Sequence, residues 1–170
     1  MRHLKSITAQ ESVLNNTSEY VFNLDAIIFG GVMLFLILVL HASYMFFISS
    51  QYEKITDKLI ASNRFELVRM VFFLTAFLLT LSHLFEIFVW GYALSLSGLI
   101  PNAHHAMVFA GSAYTTVGFG TDPLPIGWEL VMVVIALSGM VAFGWSISVL
   151  FGMTQAVNIA SQKRKEMKSL

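Results

Sequence analysis

Apolar and polar positions divide the chain into three long apolar stretches separated by charged or turn-forming segments. Residues 26–48 carry no formal charge, and as a helix they run roughly 34 Å, enough to cross a hydrocarbon core of about 30 Å. The second stretch, residues 70–96, is longer than a straight crossing needs and predicts a helix that tilts, or bends near Gly91. The third covers residues 127–157. Between the last two, Ser97-Gly98 marks a turn, and Pro101 suits the first turn of a helix over residues 101–114 that is too short to cross. In the charged stretch 49–69, Tyr52, Ile55, Leu59 and Ile60 oppose Lys54, Asp57 and Lys58 at helical spacing, which predicts a separate amphipathic helix on the membrane surface. Asn63 followed by Glu66 predicts a capping pair that opens the next helix. The reading is an all-α membrane protein: an amino-terminal segment (1–25), a first membrane helix (26–48), a connector (49–66), a unit holding the other two crossings (67–157) and a basic tail (158–170).

Composition agrees, since 56% of residues are hydrophobic and 12% charged, the balance of a membrane protein and not of a soluble core. A formal net charge of zero excludes a broad basic surface for nucleic acid. The absence of Cys excludes disulfides, thiolate metal sites and Cys nucleophiles. The first 25 residues alternate polar and apolar positions, unlike a secretory signal, so the first apolar stretch is expected to be retained. Asn15-Asn16-Thr17-Ser18 contains overlapping glycosylation sequons, a pattern short enough to arise by chance. Lys54, Lys58, Arg64 and Arg69 cluster in the connector, and Lys163, Arg164, Lys165 and Lys168 in the tail, so both are expected to be cytoplasmic. Three crossings then place the amino terminus and the 101–127 loop outside.

Ionisable groups inside apolar stretches are costly and normally face protein or water. His83 and Glu86 lie three apart on one helix face, with Trp90 one further turn along. Three readings stand: Glu86 braces the short helix or the loop after it, with His83 and Trp90 packed beside it; the pair senses pH; or it contributes to a metal site. His41 reads as packed against a neighbouring helix or set near the headgroups, with a ligand role as the alternative. His104 and His105 project in different directions on a helix and read as solvated surface. Gly139, Gly144 and Gly152 with Ser138, Ser146 and Ser148 form a small-residue pattern, which reads as close helix packing or, at Gly139 or Gly144, as a hinge.

The most specific motif is Thr115-Thr116-Val117-Gly118-Phe119-Gly120, directly after the short helix. With His83-Leu84-Phe85-Glu86-Ile87-Phe88-Val89-Trp90 before it and Phe143-Gly144-Trp145-Ser146 after it, the chain over residues 26–155 resembles the small bacterial potassium channels of the two-transmembrane ion-channel superfamily, with one extra amino-terminal helix. The resemblance implies a homotetramer in the bacterial inner membrane, built on a re-entrant pore helix and a selectivity filter. It implies potassium ions held by the carbonyls of Thr116, Val117, Gly118 and Phe119, with Gly120 completing the filter, and no enzymatic activity or organic cofactor. Gly118 and Gly120 supply backbone freedom, and Val117 and Phe119 are expected to wedge the loop from behind. Relatives carry Asp directly after the last filter Gly; here Thr121 precedes Asp122, so Asp122 either supports the filter or attracts cations at the mouth. A non-selective cation channel, a non-conducting accessory subunit and a membrane metalloprotein using His83, Glu86, His104 and His105 are the alternatives. Membrane lipid is the other expected partner, including anionic lipid at the basic tail.

Overall fold

Residues without helix-breaking Pro or Gly run on as helix wherever packing supports them, and this sets the architecture. The computed structural model describes residues 23–119 and 124–169. They form α1 (Leu24–Ala61), α2 (Phe65–Leu96), α3 (Ala103–Tyr114) and α4 (Glu129–Lys168), with no β-strand among the described residues. α1, α2 and α4 are each long and apolar enough to cross a membrane. The 12 residues of α3 span only about 18 Å, short of a bilayer core.

Four expectations about helix ends are corrected. No separate surface helix occupies residues 49–61: α1 continues unbroken to Ala61, because that stretch contains neither Gly nor Pro and most of its apolar side, Tyr52, Leu59 and Ile60, packs against α2 and α4, although Ile55 stays exposed. There Tyr52 is buried and its hydroxyl donates to the Met153 carbonyl at 2.9 Å. Nor does the third helix end at residue 157: α4 runs on through the basic tail to Lys168.

Asn63 does not open α2. It sits at φ 58°, and the Asn63 and Arg64 amides donate to the Ile60 and Leu59 carbonyls, which closes α1 in the left-handed manner usual at helix carboxyl ends. Arg64 holds the cap position of α2 without a side-chain cap bond, and Glu66 pairs instead with Arg164 of α4 and, at 3.7 Å, with Arg69. α3 likewise begins two residues later than expected, at Ala103 and not at Pro101: Asn102 is its cap, accepting the His105 amide at 3.0 Å.

α2 and α4 each pack against all three other helices, whereas α1 and α3 do not pack against each other. The main core joins Trp90 and Leu94 of α2, Phe109, Ala110, Ala113 and Tyr114 of α3, and Val131 and Ile135 of α4. A smaller cluster of Phe65, Val68 and Ala160 ties the other end of the bundle. Both cation groups, in the α1–α2 corner and at the end of α4, therefore lie at this second end, away from α3. Large apolar side chains on the outer faces, including Phe35, Phe46, Phe73, Phe77 and Leu84, are exposed, as a lipid-facing surface requires.

Candidate functional site

α3 is held by two close backbone approaches. At Gly91 a Cβ would meet Met107 Sδ at 2.6 Å and Met107 Cα at 2.9 Å, so this glycine, where the sequence predicts a bend, gives α3 room to lie on α2. At Gly139 a Cβ would overlap the Tyr114 carbonyl oxygen and lie 2.9 Å from its carbon. Gly144 and Gly152 have nothing within 4 Å. Of the two hinge candidates, Gly139 is thus a contact that seats α4 against the end of α3, while Gly144 has free space.

The chain turns sharply after Tyr114. Thr116 (φ 59°) and Gly118 (φ 71°) adopt left-handed backbone on either side of Val117. For Gly118 this carries no penalty, but for the β-branched Thr116 it is strained, of the order of 1–3 kcal/mol, and such strain concentrates at functional sites. The Val117 and Gly118 amides both donate to the Ser112 carbonyl, at 3.0 and 3.3 Å. The Ser112 hydroxyl donates to the Phe119 carbonyl at 3.1 Å, so that carbonyl is turned onto its own helix and does not stand free like those expected to face an ion. Val117 and Phe119 are exposed and wedge against nothing within the single chain. Gly120, Thr121 and Asp122 lie outside the described residues, as do the sequons at Asn15 and Asn16.

The second feature is a buried polar cluster to which every helix contributes. Glu86 is fully buried; its Oε1 accepts from His41 Nδ1 of α1 at 2.7 Å and its Oε2 from the Tyr114 hydroxyl of α3 at 2.7 Å. His83 Nδ1 lies 2.9 Å from the same hydroxyl, and His83 Nε2 lies 3.1 Å from Ser146 Oγ of α4. Ser146 also faces Met45 Sδ at 3.8 Å. The His41 and His83 rings stack at 5.5 Å, with Phe143 at 4.3 Å from His83 and Trp145 at 5.8 Å from His41. One turn further, Trp90 Nε1 donates to Ser138 Oγ at 3.0 Å, a second tie between α2 and α4.

His83, Glu86 and Trp90 are therefore gathered on one buried face toward α3 and α4. Sequence reasoning set His41 against a neighbouring helix without naming Glu86 as its partner, and it missed Tyr114 and Ser146 as members of the cluster; the one available signal was that a histidine deep in an apolar helix requires a polar partner. His104 and His105 are exposed at the start of α3, the end remote from Tyr114, so the four-residue metal set of the sequence alternatives is not assembled. Donor atoms of His41, His83 and Glu86 lie within 4.8 Å of one another, close enough to share an ion. Yet both Glu86 oxygens, both His83 ring nitrogens and His41 Nδ1 are already hydrogen-bonded within the protein. We therefore read the group as a hydrogen-bonded cluster and not as a metal centre. Compared with known proteins, the sequence matches no family model, no curated protein and no solved structure.

Proposed function

We propose that the chain is one subunit of a homotetrameric potassium-selective pore that passes potassium down its electrochemical gradient. The observation that carries this reading is the 115–119 segment: it follows a helix too short to cross, and its backbone alternates in hand at Thr116 and Gly118. That alternation is what a strand needs to turn successive carbonyls to one side. One strand cannot surround an ion, so four copies are required to replace its water shell. The carboxyl end of α3 carries partial negative charge and favours a cation beyond it. In this reading α3 is the re-entrant pore helix, α2 and α4 are the outer and inner helices, and α1 is an added outer element.

The basic end of the bundle, where the 58–69 and 163–165 cations meet, is the cytoplasmic end by charge bias. The amino-terminal end of α1 and the end bearing α3 then face outward across the plasma membrane. The Phe119 carbonyl favours a second reading, a less selective monovalent cation pore, because its bond to Ser112 removes one carbonyl from the ion path.

A resident ion stabilises the assembly that holds it, by an amount that grows with concentration over dissociation constant. Purified protein should therefore run as a four-chain mass whose dissociation temperature is higher in potassium chloride than in equal sodium chloride. A dimeric mass would contradict the ring, and equal dissociation temperatures would favour the less selective pore.

A further inference from the structure

The buried cluster contains a carboxyl and two imidazoles in a setting that tolerates no net charge. We propose that it is a proton-binding site that holds one proton on the line Glu86–Tyr114–His83, and that this proton latches α4 to the end of α3. The groups facing it are His41 from α1, His83 and Glu86 from α2 and Tyr114 from α3. α4 contributes no titratable group, only Ser146 and the rings of Phe143 and Trp145.

The hydrogen bonds fix where the proton sits. His41 Nε2 is buried and has no partner among the described residues, so a charged His41 would bury an unpaired N–H, whereas neutral His41 donates from Nδ1 to Glu86 and leaves only a lone pair unmet. The remaining proton has two equivalent arrangements. In one, Glu86 is an anion accepting from the Tyr114 hydroxyl, which accepts from Nδ1 of a cationic His83. In the other, a protonated Glu86 donates to the Tyr114 oxygen, whose hydroxyl donates to Nδ1 of a neutral His83. In both, His83 Nε2–H donates to Ser146 Oγ and the Ser146 hydroxyl turns to Met45 Sδ. Every donor is matched, the net charge is zero, and Tyr114 keeps a proton throughout.

Adding or removing one proton buries an uncompensated charge, which is far costlier than leaving the cluster neutral. Once water reaches the same three groups, a carboxylate and two imidazoles hold no such proton above about pH 7.5 and about two below about pH 5.5. Closing the latch therefore takes up a proton from alkaline solution and releases one into acid. By linkage the closed form loses about tenfold in population per pH unit on each limb, with its maximum between.

The test is native-state hydrogen exchange of residues 106–114 and 138–146 in lipid nanodiscs from pH 5 to 9, corrected for intrinsic rates, with a chelator present. Wild-type protein is expected to show greatest protection at intermediate pH and to lose about tenfold per unit on both sides. Glu86→Gln offers its amide where the protonated carboxyl stood, so it keeps the chain of hydrogen bonds without a bound proton; it should lose the alkaline limb, while its acid limb steepens because opening then binds about two protons on His41 and His83 instead of one. A flat wild-type profile, an alkaline limb unchanged in Glu86→Gln, or limbs seen only when the chelator is omitted would each overturn the proposal. If Glu86→Gln fails to fold, the wild-type profile in chelator decides alone. The readout is independent of conduction, so both limbs in a protein that passes no potassium would reject the channel and leave the proton site standing.

Discussion

Gly139→Ala should lower thermal stability sharply and impair assembly, whereas Gly144→Ala should be tolerated. The methyl group added at Gly139 would overlap the Tyr114 carbonyl oxygen and also lie 3.1 Å from Tyr114 Cδ1. Neither neighbour can yield cheaply: the carbonyl is the backbone at the last turn of α3, and the ring is pinned by its hydroxyl between Glu86 and His83. Overpacking of this kind costs about 1–3 kcal/mol where the backbone must shift. At Gly144 nothing lies within 4 Å, and alanine is the better helix former by about 1 kcal/mol. Melting curves of the two variants beside wild type check the contrast. Equal tolerance at both positions would show that α4 does not rest on α3 as described.

Glu86→Ala is expected to have the other large effect. It leaves His41 Nδ1 and the Tyr114 hydroxyl without their acceptor inside the bundle, at about 1–3 kcal/mol for each group left unpaired. Because Tyr114 ends the helix that positions the 115–119 segment, the loss should alter open probability or selectivity while the subunits still assemble. Glu86→Gln should be milder, keeping the shape and an acceptor for His41. Wild-type conduction and selectivity in Glu86→Ala, recorded in planar bilayers, would reject its bracing role.

How much of this was legible in the sequence depends on range. The three apolar spans, the short helix and the shared face of His83, Glu86 and Trp90 follow from local periodicity, and the structure has them. Helix ends were read less well. Residues 49–61 look like a separate amphipathic helix, but nothing in them breaks α1, and the surface that buries Tyr52 comes from α4, far along the chain. Asn63 has the chemistry of an amino-terminal cap and the conformational tolerance of a carboxyl-terminal one; the backbone bonds to Leu59 and Ile60 chose the latter. The buried cluster was half legible: the pair three residues apart on α2 is local, while His41 lies 45 positions from Glu86 and Ser146 lies 63 from His83. Gly139 appears in sequence only as one small residue among several, and its distinction from Gly144 rests on the carbonyl it faces.

The central claim is that the 115–119 segment lines a potassium path. Its most direct test is ion flux in liposomes holding purified protein, under opposed potassium and sodium gradients with a dye that reports the resulting potential. The account predicts a potential that follows the potassium gradient and needs the protein, and its loss when Gly118, at φ 71°, is replaced by valine. A potential indifferent to which cation is present, or no protein-dependent flux under either gradient from pH 5 to 9, would contradict it.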